Sequence, residues 1–247
     1  MLQFPQRVSK PRAIGITSIH DVSLTVGELK NILNDHACFV DFAKFGVGSA
    51  YVTPRLDEKI EIYKKYGVEP YFGGTLFEKF YAHNKLDAYL RYLHEYGISI
   101  IEISTGIVDI EFERRVAMIR EISSDFTVFS EVGSKDQDRI MAPSVWINEI
   151  HELMNAGASY IVTEGRDSGT AGIFRSSGEI RTGLVDDIIH QCDVDKLIFE
   201  APTPTSQMFF INLVGANVNL GNVKPTDLLL LETERIGLRA ETFGNFE

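Results

Sequence analysis

Cysteine is nearly missing from this chain: two residues in 247, Cys38 and Cys192, far apart and without CxxC or metal-ligand spacing. That excludes a disulfide framework or a zinc knuckle and leaves two thiols of a reducing compartment. Positive charge is also scarce, with 24 Lys and Arg against 35 Asp and Glu, a formal net charge of -11. Nucleic acids and anionic membrane surfaces are met by basic patches, so neither is an expected partner. No apolar run approaches the ~18 residues of a membrane span, and the opening "MLQFPQRVSKPR" lacks the apolar core of a signal peptide. The expectation is a soluble, cytoplasmic protein.

Two common catalytic signatures are absent as well. "FGVGSA" (45 to 50) has a GxG core, but it lacks the third glycine in register and the Lys-Ser/Thr of a P-loop. Nothing resembles a Ser-His-Asp arrangement, so triad hydrolysis is not expected.

What the chain does have is alternation. β-rich runs fall at 13–17, 39–46, 69–74, 99–104, 127–133, 159–165, 196–202 and 217–222, with longer amphipathic stretches between them. In "LDAYLRYLHEYG", for example, Leu86, Tyr89, Leu90 and Leu93 recur at helical spacing. No composition break marks a linker, so 1–247 reads as one domain. Eight strands, each followed by a helix, predict a single α/β domain of the (β/α)8 TIM-barrel type. An open doubly wound sheet shares the same periodicity.

In a parallel barrel the functional face lies at the C-terminal strand ends, where side chains from several strands converge. Collected there are His20 and Asp21, Lys44, Thr75 and Glu78, Glu102, Ser104 and Thr105, Glu131 and Lys135, Glu164, Arg166 and Asp167, Glu200, and Asn219 and Asn222. Gly73 and Gly74 could offer backbone N–H groups to an anion. Ionisable groups are costly at strand ends unless paired or metal-bound, so the set as a whole points to a site. Several carboxylates without a His/Cys cluster suit Mg2+, which prefers hard oxygen ligands. Lys44, Lys135 and Arg166 supply cations for phosphate or carboxylate, with Arg166 able to bind in bidentate fashion. A divalent ion plus a lysine acid can make an enolate-like anion and then protonate it.

Taken in order, "KPR" (10 to 12), "AKFG" (43 to 46), "GGTLFE" (73 to 78), "EIS" (102 to 104), "EVGSKD" (131 to 136), "AGASYIVTEGRDSG" (156 to 169), "FEAP" (199 to 202), "VNLGN" (218 to 222) and "GLRAETF" (237 to 243) resemble the phosphosulfolactate synthase family. That family includes heat-stress-associated relatives. The resemblance implies a TIM-type barrel and Mg2+-dependent addition of sulfite to phosphoenolpyruvate, giving (2R)-3-phosphosulfolactate on the way to coenzyme M. It implies Lys135 as the acid, with Glu131 and Glu164 beside it in the catalytic set. Lys44, Arg166, His20, Asn219, Gly73 and Gly74 would bind substrate, and Glu102, Glu131, Glu164 and Glu200 would be metal ligands. A homo-oligomer, such as a trimer, is also implied. The resemblance departs at "ISTG" (103 to 106), where the family has Ile-Ser-Asp-Gly and this chain has Thr105. A paralogue that keeps an anion-binding barrel without the activity is the alternative that this departure raises.

Overall fold

The computed structural model describes residues 4–134, 141–166 and 168–244. Eight parallel strands follow one another round a closed barrel: β1 (Thr17–His20), β2 (Phe42–Phe45), β3 (Glu69–Phe72), β4 (Ile100–Ile103), β5 (Thr127–Val132), β6 (Tyr160–Thr163), β7 (Leu197–Glu200) and β8 (Leu220–Val223). β8 pairs back onto β1, which rules out the open sheet. Outside them run α1 (Val26–His36), α2 (Leu56–Lys65), α3 (Gly74–Ala82), α4 (Leu86–Glu95), α5 (Phe112–Ile122), α6 (Pro143–Asn155), α7 (Thr182–Gln191), α8 (Pro204–Val214) and α9 (Leu228–Arg235).

Local chemistry sets several helix starts. Thr25 and Glu28 form a capping box at α1, while α6 and α8 each begin with proline in the first turn, where the missing N–H costs nothing. The second and eighth strands begin at Phe42 and Leu220, three residues later than the runs at 39 and 217, and two further elements depart from the sequence reading. The first strand begins at Thr17 rather than residue 13, because Gly15 takes φ +73 and breaks the extended run. α3 is an additional helix between the third strand and Leu86; its start at Gly73 and Gly74 weakens the helical pattern in the sequence.

Strand side chains alternate between faces, so residues two apart share the barrel interior. Phe42, Tyr71, Phe129 and Tyr160 form an aromatic layer there, with ring centroids 5.2 Å apart for Phe42 and Phe129 and 5.3 Å for Tyr71 and Phe129. Ser18 and Tyr71 join hydroxyls across it at 3.1 Å.

The opposite end of the barrel is sealed by arginines. Arg235 is fully buried and donates to the carbonyls of Ala216, Val218 and Ile16 and to the Thr17 hydroxyl. Burial lowers its pKa to about 9, still above neutrality. Arg7 reaches from the N-terminal segment to Glu232, and Arg12, in the "KPR" block, forks onto Asp41, which accepts the Thr17 N–H. That block is therefore scaffold at the barrel floor.

Candidate active site

Beyond the aromatic layer, the same inward alternation brings one residue from every strand to a single ring. They are His20 of β1, Lys44 of β2, Gly73 after β3, Glu102 of β4, Glu131 of β5, Glu164 after β6, Glu200 of β7 and Asn222 of β8, and all eight line one cavity of about 280 Å3. Val47, Gly74, Thr75, Ile107 and Arg166 complete its wall. All eight belong to the strand-end residues read from the sequence, and Asn222 is the one of them with no catalytic, substrate or metal role assigned there.

Lys44 is the hub of the ring. Its Nζ lies 2.8 Å from Glu200 Oε1 and 3.4 Å from Glu102 Oε2. Glu102 Oε1 accepts the Gly74 N–H at 2.6 Å, and Glu200 Oε2 accepts the Gly165 N–H at 2.8 Å. One chain of hydrogen bonds and ion pairs thus crosses the mouth from the first turn of α3 to the end of β6. Burial opposes the Lys44 ammonium, but the attraction of Glu102 and Glu200 outweighs it and holds its pKa well above the ordinary lysine value. Glu102 is pushed up by its own burial and by Glu131 and Glu200, against the pull of Lys44.

Arg166 occupies the mouth differently. Its backbone takes φ +57, where a bulky residue is disfavoured, and its N–H donates to Glu164 Oε1 at 2.7 Å. Among the described residues its guanidinium has no acceptor. Glycine would be cheaper at this backbone position, so the side chain itself justifies the residue.

His20 lies directly over Gly46, where an added Cβ would collide with the imidazole Nε2. Gly46 is thus glycine because the ring needs the space. Gly73 is similarly confined, its open side facing Gly46, the Lys44 side chain and the Phe45 carbonyl. Gly74 does line the cavity, but its N–H is already given to Glu102 rather than held out to an anion.

Asn219 is placed wrongly by the sequence reading. It precedes β8, and its amide bonds the Ile16 N–H and the carbonyls of Asp195 and Leu197 at the N-terminal strand ends. The asparagine that reaches the mouth is Asn222, three residues on; counting in twos up the strand separates the pair. Lys135 and Asp167 lie outside the described residues.

Thr105 also faces away from the cavity. Its hydroxyl accepts from Arg115 Nη1 at 3.1 Å, and Arg115 in turn pairs with Glu149 on α6. Arg115, unremarked in the sequence, fastens the turn after β4 to the neighbouring helix. The glycine-rich run after Arg166 folds back onto β6: the Ile173 N–H donates to the Glu164 carbonyl, and Ile173 and Phe174 are buried.

Among the described residues no group of three or more His, Cys, Asp or Glu side chains is arranged to hold a metal ion. Nor is any helix there long and apolar enough to cross a membrane.

A closed (β/α)8 barrel with a lysine-bridged ring of buried carboxylates at its strand ends defines a class, the (β/α)8 barrel proteins with a polar cavity at that face. Comparison with known proteins narrows the class. The chain belongs to the phosphosulfolactate synthase family: the model of (2R)-phospho-3-sulfolactate synthase matches residues 5–241. It is 42% identical to the phosphosulfolactate synthase of Bacillus subtilis over 98% of this chain and 97% of that protein. It is 37% identical to that of Methanothermobacter thermautotrophicus over 97% and 95%. The HEAT-STRESS-ASSOCIATED 32 protein of Arabidopsis thaliana is similar at 23% over 87% and 83%.

Proposed function

We propose that this chain adds sulfite to phosphoenolpyruvate with the help of Mg2+, giving (2R)-3-phosphosulfolactate. The observation that carries the reading is the mouth itself, where the Lys44 ammonium is buried between two carboxylates and Arg166, whose guanidinium has no acceptor among the described residues, lines the same cavity. Arg166 suits an incoming phosphate or carboxylate, which a planar guanidinium grips in bidentate fashion. Lys44 adds positive charge at the centre, and so offsets the repulsion between two anionic reactants in an acidic protein.

In the reaction the sulfur lone pair forms a bond to C3 of the enol phosphate. The C2=C3 π electrons move toward the substrate carboxylate, and C2 then takes a proton. The phosphate ester stays intact. Lys44 lies where negative charge builds up and is preorganised by Glu102 and Glu200 to meet it. His20, seated over Gly46, forms a second polar wall. Lys135, just beyond Ser134 in the sequence, is assigned the proton to C2 on the resemblance of the "EVGSK" block.

The donor set is of the kind the metal reading needs. Glu102, Glu131, Glu164 and Glu200 all line the cavity and are the carboxylates that would hold Mg2+. Hard oxygen donors suit this ion, which commonly fills its shell with water and substrate oxygens and needs no all-protein cage. When bound, Mg2+ would supply a compact positive charge for an oxyanion.

The stress-protein alternative drew on Thr105. With Thr105 bonded to Arg115 outside the cavity, and with closer identity to the two named synthases than to the plant protein, that support falls away. The test is incubation with phosphoenolpyruvate and sulfite, with Mg2+ or with chelator, followed by phosphorus NMR for phosphosulfolactate. Product formed only with the metal is expected; no product with any divalent ion would overturn the reading.

A further inference from the structure

Glu78 is a buried carboxylate, 1% exposed, that the mechanism above does not use. It lies on α3, and both of its oxygens accept hydrogen bonds from the turn after β4. Its Oε1 accepts the Ser104 hydroxyl at 2.5 Å and the Gly106 N–H at 3.2 Å, and its Oε2 accepts the Ile107 and Val108 N–H groups at 2.6 and 2.7 Å. Three successive backbone N–H groups on one carboxylate make a nest filled by an anion from within the chain. α3 is thereby tied to β4 twice, because its first residue, Gly74, also holds Glu102.

What this turn separates gives the tie its meaning. Ile107 is 69% exposed, yet it lines both the polar mouth and an adjoining apolar groove of about 650 Å3 formed with Tyr51, Val52, Leu76, Phe80 and Val108. Thr75, on the α3 side, is the other residue common to the two spaces. Such an exposed side chain has little packing of its own to fix it, so its position depends on the backbone beneath, which Glu78 holds.

We infer that Glu78 is a positioning residue: it sets the 104–108 turn as the wall that confines substrate to the polar mouth and keeps it out of the apolar groove. This rests on the proposed function for the identity of the substrate. A wall touches substrate alike before and during reaction, so losing it weakens binding more than turnover.

The test is Glu78→Gln, which keeps the size of the side chain but points an amide N–H2 at donors that need an acceptor. The expected result is faster hydrogen exchange at the Ile107 and Val108 amides with barrel strands still protected, and a KM for phosphoenolpyruvate raised about tenfold with kcat within about threefold. Glu78→Asp, with a carboxylate one methylene short, should fall between. A merely structural role would lower the active fraction and hence apparent kcat, leaving KM unchanged. Ile107→Ala removes the wall without touching its support; it should raise KM as well, and it decides the matter if Glu78→Gln does not fold. Unchanged exchange in a folded Glu78→Gln, or unchanged KM in either variant, would overturn the inference. Should the wild-type protein make no phosphosulfolactate, the proposed function fails instead. The exchange arm and the affinity for inorganic phosphate, expected to weaken about tenfold in both variants, then decide this one.

Discussion

Lys44 and Glu200, 156 positions apart in sequence, meet at 2.8 Å in the centre of the barrel mouth, each almost wholly buried. With Glu102 on the other side of the ammonium, the pair is one step of a chain that links four strand ends. Buried ion pairs contribute little net stability, but they are costly to break from one side, because a charge is then stranded.

Lys44→Met should therefore destabilise the fold by about 3 kcal/mol, as the buried Glu102 and Glu200 would lose the ammonium that lies between them. Urea denaturation measures this. Under the proposed function, synthase activity should fall by at least about a hundredfold, since the ammonium assigned to the developing anion is lost with the pair. A variant of wild-type stability would show that the two carboxylates are not stranded.

Arg166→Ala should leave stability almost unchanged, because its guanidinium holds nothing among the described residues. Phosphate affinity by calorimetric titration should drop about tenfold to a hundredfold, and Arg166→Lys should recover only part of it, lacking the bidentate fork. Equal phosphate affinity in Arg166→Ala would remove Arg166 from the anion site.

Gly46→Ala should displace His20, whose ring occupies the space that a Cβ needs. The expected loss is about tenfold in kcat/KM, with a barrel that still folds. In a His20→Ala background the same change should cost much less, and the non-additivity measures the steric link. Additive losses would mean that Gly46 serves the site by another route.

Glu234 supplies a pH test away from the mouth. Its carboxyl is fully buried in α9, and burial, opposed by the ion pair to Arg239, raises its pKa to about 7. Between the ordinary carboxylate range and that value the unfolded chain has released this proton while the folded chain keeps it. Proton binding therefore favours the folded state, and stability falls as pH rises through this window, by on the order of 2 kcal/mol in total. Glu234→Gln removes this dependence, so its Tm relative to wild type should improve steadily from pH 4.5 to pH 8. Parallel Tm curves would contradict the raised pKa.

The barrel and most of its ring were legible because both follow short-range rules. Strand and helix patterns alternate along the chain, and period-2 spacing carries Phe42 to Lys44 and Phe129 to Glu131. Where reading failed, the deciding fact was not local. Gly15 gives no sign in sequence that its φ is positive, so the first strand was drawn too early and His20 placed beyond it. Asn219 and Asn222 look alike in "VNLGN", and only the β1 to β8 register sends one to the floor and the other to the mouth. Thr105 raised a doubt about the site because its neighbour Arg115, ten residues on, could not be seen as its partner. Glu78 was collected with the strand-end residues, but its role depends on a turn 26 to 30 positions away.

The two ends of the barrel are built around different cations, and the difference bears on turnover. At the floor, Arg235 is fastened to four acceptors, three of them main-chain carbonyls that cannot move aside. At the mouth, Lys44 is a single ammonium on a flexible stem whose partners are side chains. A guanidinium laced into carbonyls behaves as a rivet. An ammonium shared by two carboxylates behaves as a pivot, able to trade one oxygen for another as reactant gives way to product while the closed end of the cylinder stays still.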